Sequence, residues 1–170
     1  MQVISGIYKG KNLKSPQSDK THPMGSREKL ALFNMLLPYL ENATVLDAFA
    51  GTGALGIEAL SRGALDVTFI EKDHKVAKVL RENIASLNTS NTTIVEKSVD
   101  SFTTDKNFGL IIADPPYDNF KPEQIEYLAK FLKPAGILAL SHPGDTPEFA
   151  ELKLLKSRSY AGATISIYQK

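Results

Sequence analysis

An α/β fold, with a mostly parallel sheet and helices on both faces, is what this 170-residue sequence predicts. Three observations predict it. Short apolar runs alternate with helix-period segments from residue 44 to 141, and alternating strand and helix units build a parallel sheet covered on both sides. A glycine-rich turn, Gly51-Thr52-Gly53, joins the first of these runs to a helical pattern. The length corresponds to about one domain. With 42% hydrophobic and 23% charged residues, the chain has an ordinary globular composition and buries around two-thirds of its unfolded surface.

The elements follow in order. Residues 2 to 15 alternate enough for a short hairpin with Gly10 at its turn, and residues 16 to 25 read as a loop. Ser26 can cap a helix in which Leu30, Phe33 and Leu37 recur at helical spacing. A strand from Thr44 to Phe49 leads into a helix ending at Arg62, with Ile57 and Leu60 on one side. Next come a strand at Val67-Thr68-Phe69-Ile70 and a helix over 73–87, with Val76, Val79, Leu80, Ile84 and Leu87 inward. Strands at 93–97 and 109–113, a helix over 121–132 and a strand at 136–141 complete the alternation. Leu152 to Leu155 and Ala163 to Tyr168 read as two final strands joined near Gly162. Residues 1–40 are expected to form an arm on a body of residues 41–170.

Asp114-Pro115-Pro116-Tyr117 is the most informative stretch. It follows the apolar run Leu110-Ile111-Ile112-Ala113, so it sits where a buried strand gives way to a loop, and open α/β sheets bind ligands at the carboxyl ends of their strands. Two prolines fix the backbone and remove two N–H donors, leaving carbonyl oxygens free to face a substrate. A carboxylate, a free carbonyl and an aromatic ring from one rigid turn suit a planar group bearing an amine. A plain strand-ending turn with an aspartate cap is the competing reading of this tetrapeptide alone.

Upstream, Gly51, Gly53 and Gly56 spell GxGxxG, a weak signal by itself. Glu71 ends the next strand twenty residues past Gly51, where an acidic residue holds ribose hydroxyls in nucleotide-type folds. A dinucleotide-binding domain is the rival reading. Asp47, four residues before Gly51, argues against it, because a carboxylate there repels a pyrophosphate but accepts from a cationic amine. Too little chain remains for a separate catalytic domain, and a dehydrogenase has no use for Asp-Pro-Pro-Tyr. S-adenosylmethionine fits better: it carries ribose, adenine and an ammonium group, but no phosphate.

The run from Asp47 to Ala64, with Ile57-Glu58-Ala59-Leu60-Ser61-Arg62-Gly63-Ala64 at its end, resembles the cofactor motif of the bacterial 16S rRNA guanine-N2 methyltransferases, the small-subunit rRNA methyltransferase D family. Ile4-Ser5-Gly6-Ile7-Tyr8-Lys9-Gly10-Lys11-Asn12-Leu13 is similar to that family's opening signature, Arg27 to Asn34 to its next block, and Asp114 to Tyr117 to its catalytic loop. The resemblance implies a Rossmann-like class I methyltransferase fold with a seven-stranded sheet, its C-terminal pair including an antiparallel strand. It implies S-adenosylmethionine as cofactor, held by Asp47, Phe49, Gly51, Thr52, Gly53, Glu71, Lys72, Ser98 and Val99. Asp114, Pro115, Pro116 and Tyr117 would then be catalytic, and 16S rRNA or an assembling small subunit the partner. The chain departs from the family in three places: His22-Pro23-Met24 stands where Arg-Pro-Thr is usual, Ser26 where an acid is usual before Arg27, and Ser98 where an aspartate is usual near adenine, with Asp100 two positions on.

Charge is unevenly placed. Residues 1–29 hold six basic residues against Asp19 and Glu28, a net of +4, leaving −3 for the rest of a chain whose total is +1. Such an arm suggests phosphate contacts through Lys9, Lys11, Lys14 and Arg27; lysines serving solubility are the plainer alternative. Tyr8 can stack on a base or simply pack. The absence of cysteine excludes disulfides and thiolate chemistry. His22, His74 and His142 lack metal-ligand spacing and read as surface or loop residues, so no metal is expected. No apolar run approaches a membrane span, and a cytoplasmic monomer is the expectation. Two other functions share these features: another amino-group methyltransferase, acting on adenine N6 or a protein glutamine, and a non-catalytic RNA-binding protein of the same fold.

Overall fold

Strand residues alternate sides with a period of two, and here both sides are apolar. Val45, Leu110, Ile112, Ile137, Ala139, Ile165 and Ile167 belong to one buried cluster. Their neighbours Leu46, Ile111, Ala113, Leu138, Leu140 and Tyr168 belong to a second. A sheet buried on both faces needs helices on both, and this computed structural model, which describes residues 1–16, 24–160 and 162–170, supplies them.

Seven strands, β1 (Thr44–Asp47), β2 (Asp66–Ile70), β3 (Thr92–Val95), β4 (Phe108–Ala113), β5 (Leu132–His142), β6 (Lys153–Tyr160) and β7 (Ala163–Gln169), form one sheet in the order β3-β2-β1-β4-β5-β7-β6. The first five are mutually parallel; β7 runs antiparallel to β5 and β6. The seven-stranded sheet with its antiparallel C-terminal strand is therefore as expected. Helices α1 (Ser26–Leu36), α2 (Ala54–Ser61) and α3 (His74–Ala85) pack on one face, and α4 (Pro122–Ala129) on the other through Ile125, Leu128 and Ala129. Asp73 caps α3, its carboxylate accepting from the N–H groups of Lys75 and Val76, donors that a helix start otherwise leaves without partners.

Two expectations need correction. Ser26 makes no cap; Gly25 holds the N-cap position and Ser26 is the first helical residue. Leu30 and Leu37 are 43% and 63% exposed, because the buried side of α1 is Lys29, Leu32, Phe33, Met35 and Leu36. The stripe is shifted because its centre includes a lysine, which hydropathy alone places outside. The expected short hairpin over 2–15 is present: Gln2 bridges Asn12, and around that bridge Leu13 N–H donates to the Met1 carbonyl, Val3 N–H to the Lys11 carbonyl and Gly10 N–H to the Val3 carbonyl. The turn between its two arms is bound to α2. Ile4 and Ser5 donate their N–H groups to Glu58, and Ile7 and Tyr8 donate theirs to the Ser61 carbonyl and hydroxyl. Gly6, at φ +84°, lies so close that a Cβ would meet the Ser61 carbonyl at 1.6 Å. The loop expected at 16–25 falls largely outside the described residues.

Glu58 is the centre of this junction. Fully buried, its carboxylate accepts from Ile4 N–H at 2.8 Å, Ser5 N–H at 3.0 Å and Arg62 Nε at 2.8 Å, with Lys29 Nζ at 3.4 Å. Lys29 also donates to the Gln2 carbonyl at 2.8 Å, and the Arg62 guanidinium stands 5.0 Å from the Phe33 ring centre. Burial lowers the Lys29 pKa, and Glu58 partly offsets that effect. Removing one partner of a buried ion pair leaves the other charge unpaired and costs about 3–5 kcal/mol. Glu58→Ala is expected to lower unfolding stability by about that amount in urea titrations; a loss under about 1 kcal/mol, the level of an exposed pair, would show that the junction contributes little.

Candidate functional site

Strand order reverses between β1 and β4, and a crevice opens at the carboxyl ends of strands where this happens. The expected site residues converge there. Asp47 ends β1, Glu71 follows β2, Ser98 lies three residues past β3, and Asp114 follows β4.

Asp47 is 1% exposed. Its Oδ2 accepts the Gly56 N–H at 2.8 Å, while Oδ1 is buried with no hydrogen-bond partner among the described residues. Burial pushes the Asp47 carboxyl up to about 7; the Gly56 N–H opposes this, and the negative charges of Asp114 and Glu71 add to it. Gly56 can deliver its N–H only because it has no side chain: a Cβ would meet the Phe69 ring at 2.2 Å. This third glycine of the motif thus sets the approach of α2 to the sheet. Glu71 ties the turn to β2, its Oε2 accepting from Gly51 N–H at 2.9 Å and its Oε1 from Asp73 N–H at 2.7 Å. Burial raises its pKa, and those N–H groups oppose the rise. Each oxygen keeps a second lone pair for a ligand donor.

Around this pair, Thr52 is buried and its carbonyl accepts from Asn83 Nδ2 at 2.9 Å. Gly53 stands at the N-cap of α2. Phe49 is half-buried against the second core cluster, Val99 is buried, and Lys72 is exposed. The Ser98 hydroxyl lies 3.0 Å from that of Ser101, and the Asp100 carboxylate accepts from Gln124 Nε2 at 2.9 Å.

In the Asp-Pro-Pro-Tyr loop, Pro115 is buried and Pro116 exposed. The Pro116 carbonyl accepts the Asn119 N–H at 3.1 Å, and that of Tyr117 the Phe120 N–H at 3.3 Å. The Pro115 carbonyl accepts no hydrogen bond from the described residues. Burial pushes Asp114 up to about 6, opposed by the Ser141 hydroxyl. Tyr117 Oη lies 2.5 Å from Ser141 Oγ, and its phenol is raised by burial first and then by the nearby Asp114 and Glu28 charges.

Of the four arm cations, Lys9 and Arg27 line one cavity of about 410 Å³ with Ile4, Gly10, Ser26 and Leu30. Lys11 and Lys14 lie elsewhere, at α3: Lys11 donates to the Ser86 carbonyl, and Lys14 pairs with Glu82 at 2.7 Å. His74 is exposed beside Glu96, and His22 lies outside the described residues. His142 is not a surface residue. It is fully buried, its Nε2 2.9 Å from Ser166 Oγ and its ring 6.2 Å from that of Phe120. Position at the end of a predicted buried strand was the available signal. Glu58 and Ser141 escaped sequence reading because their partners lie on other elements. Among the described residues no group of three or more His, Cys, Asp or Glu is placed to hold a metal ion, and no helix is long and apolar enough to cross a membrane.

This sheet order, glycine turn and proline loop define a Rossmann-like class I methyltransferase. The fold matches that of the Escherichia coli protein yhhF, with a TM-score of 0.89 and 29% identity, covering 100% of this chain and 97% of that one. A Thermus thermophilus 16S rRNA N2 G1207 methyltransferase, solved with AdoMet and guanosine, shares the fold at a TM-score of 0.71 and 19% identity, covering 91% of this chain and 45% of that one. The family model described as conserved hypothetical protein 95 matches residues 1–169. Over 180 residues, 99% of this chain and 93% of the relative, the sequence is 34% identical to ribosomal RNA small subunit methyltransferase D of Haemophilus influenzae. The chain belongs to this family of class I S-adenosylmethionine-dependent methyltransferases.

The raised carboxyls have a pH consequence. The unfolded chain loses the Asp47 proton near its ordinary value of 3.8, whereas the folded protein keeps it to about 7. Between those values the folded state binds more protons, so stability falls as pH rises and the loss is complete above about 7. Asp114 acts in the same direction up to about 6. The ligand-free protein is expected to melt at lower temperature at pH 8 than at pH 5, with Asp47→Asn removing much of the slope. Identical slopes in the two proteins would show that Asp47 is already ionised in the free protein.

Proposed function

We propose that this protein transfers a methyl group from S-adenosylmethionine to the exocyclic N2 of a guanine in 16S rRNA, in the cytoplasm. One observation carries the proposal. The Asp114 carboxyl and the unpaired Pro115 carbonyl leave β4 together beside Tyr117, across the switch point from the half-satisfied Asp47. Family membership supports the rRNA substrate, as does the solved N2 G1207 enzyme of the same fold for guanine N2.

The residues present fit the cofactor. A buried carboxylate oxygen with no partner is costly unless a ligand supplies a donor, and Asp47 Oδ1 would accept from the cofactor's ammonium group. Glu71 would take the ribose hydroxyls, with Phe49, Gly51, Thr52, Gly53, Lys72, Ser98 and Val99 completing the site. When bound, S-adenosylmethionine supplies an electrophilic methyl on its sulfonium.

The chain's part is orientation. An exocyclic guanine amine is a poor nucleophile because its lone pair is delocalised into the ring. Asp114 and Pro115 would each accept one of its hydrogens, localising the lone pair and aiming it, an effect that strengthens as positive charge develops. Tyr117 would stack on the base. Asp114, with a pKa of about 6, is ionised at neutral pH yet is a better proton acceptor than an exposed aspartate. It can therefore take the surplus proton after transfer. A paired base must be extruded first, whereas RNA loops present bases already exposed.

Mass spectrometry of nucleosides from 16S rRNA, with and without the protein, tests the assignment. One N2-methylguanosine should disappear in its absence and return when purified protein and cofactor are added. Loss of N6-methyladenosine instead would reassign the substrate. Asp114→Ala should slow turnover by roughly 10²–10³ with cofactor affinity within a few-fold. Glu71→Ala should weaken S-adenosylmethionine at least about tenfold, since each hydrogen bond to a charged group contributes roughly 1.5–3 kcal/mol.

The arm predicts a salt effect. Neutralising Lys9 or Arg27 should lower RNA affinity across sequences. It should also reduce the log–log salt slope by up to about 0.7–0.9 for each phosphate left unneutralised, with cofactor affinity unchanged. If neither these variants nor those of Lys11 and Lys14 change affinity or slope, the rRNA is gripped by the body.

A further inference from the structure

We propose that the cavity between the hairpin and α1 holds one unpaired nucleotide of the RNA substrate, distinct from the target, with its phosphates against Lys9 and Arg27 and its base against Ile4 and Leu30. The cavity measures about 410 Å³, within the range of small-molecule sites. Its walls come from two parts of the arm: Gln2, Ile4 and Lys9 from the hairpin, Arg27 and Leu30 from the first turns of α1. Lys29 ties the two together, donating to the Gln2 carbonyl at 2.8 Å while its Nζ stands 3.4 Å from the buried Glu58 carboxylate. Within the hairpin, Val3 N–H donates to the Lys11 carbonyl at 3.0 Å and Gly10 N–H to the Val3 carbonyl at 2.9 Å. The cavity is therefore built without a ligand, and a site already in its bound shape loses less freedom on binding.

Two chemistries meet in this space. Neither Lys9 nor Arg27 makes a side-chain hydrogen bond or ion pair among the described residues, whereas Lys11, Lys14 and Lys29 are each engaged by the protein. No acidic residue is among those lining the cavity. Glu28, next to Arg27, folds its carboxylate back over Gly25, where a Cβ would meet its Oε2 at 2.2 Å. Two cations facing one space without a counter-charge call for an anion. The same cavity is walled by half-buried Ile4 and by Leu30, which is 43% exposed although Leu32, Phe33 and Leu36 of its helix are buried. Apolar surface contributes nothing to an isolated phosphate but suits the face of a base. Loops of RNA present such bases unstacked, and a basic groove combined with surfaces that cover bases is how single strands are held without reading their sequence. The lining offers no carboxylate to accept from an amine, so the nucleotide it fits is one that does not react.

This role rests on RNA being the substrate, and adds that a base, not phosphate alone, is held at the arm. NMR of the protein saturated with S-adenosylhomocysteine, which keeps nucleotides out of the cofactor site, separates the two cases. A short single-stranded RNA of mixed sequence should move the Ile4 and Leu30 methyl resonances upfield, the effect of an aromatic ring lying over them. Inorganic polyphosphate should perturb the amide resonances of Lys9 and Arg27 but leave those methyls in place. Equal methyl shifts with both polyanions, or none with RNA, overturn the proposal.

Leu30→Ala supplies the second test. Covering a side chain that is 43% exposed recovers under half of what full burial does, so the variant should bind the single strand about three- to tenfold more weakly. Its log–log salt slope should match that of the wild type, because no phosphate contact is lost, whereas Lys9→Gln and Arg27→Gln should flatten it. Leu30→Met, which keeps the apolar surface, should bind as the wild type does. Cofactor affinity and melting temperature should hardly change in either Leu30 variant, since Leu30 lies outside the core. Unchanged RNA affinity in Leu30→Ala, or a salt slope that falls with it, overturns the base site. A protein that binds the strand with the expected methyl shifts yet methylates no guanine sinks the proposed function and leaves the role of the cavity standing.

Discussion

A carboxylate buried in a protein must be given donors, and the fold turns on how Glu58 obtains its own. It lies one turn into the helix that follows the glycine-rich loop, on the face that meets the arm. Two backbone N–H groups, Arg62 and Lys29 surround it. The four come from three separate stretches of chain, so satisfying one charge brings the arm, α1 and the cofactor helix into one piece. The short arm needs little hydrophobic surface to stay ordered, because Val3 and Leu13 join the core while the turn between them is held by this polar junction.

Asp47 is the instructive contrast. It too is buried and sits near the same helix, but only one of its oxygens is satisfied. Glu58 is surrounded by donors; Asp47 is left with an acceptor aimed where the strand order opens a crevice. Polar groups buried for structure are generally satisfied. The exception at Asp47 stands at the switch point, with a carboxyl displaced to about 7, and is what the ammonium group of the proposed cofactor complex would satisfy. Gly56 links the two: by lacking a side chain it lets α2 lie against Phe69, which presents its own N–H to Asp47 and places Glu58 toward the arm.

Much of this is legible in the residues alone. Strand positions follow from short continuous apolar runs, and their parallel arrangement from alternation with helices. Asp47, Glu71 and Asp114 can be placed at strand ends because each directly follows or closes such a run, and Gly51 in the turn beyond the first of them. The α1 stripe is misplaced by hydropathy because Lys29, buried against Glu58, occupies an inward position. The short hairpin is legible, but the docking of its turn on α2 is not, because the partners of Ile4, Ser5 and Tyr8 lie more than fifty residues away. His142 reads as a loop residue although it closes β5 in the core. Each difference arises where a polar group is buried by a long-range partner.

By itself, then, the sequence determined the class of fold and the strand ends at which the candidate site gathers, since both depend on local apolar patterning and on glycine and proline geometry. Tertiary structure alone decided which polar groups are satisfied and which are left open. It separated Lys9 and Arg27, which share a cavity, from Lys11 and Lys14, which are engaged at α3. It brought Ser141 to Tyr117 through the register of β4 against β5. Hydrogen bonds and ion pairs act over about 3 Å whatever the separation along the chain, so no local pattern encodes them; only the packed sheet brings their partners together.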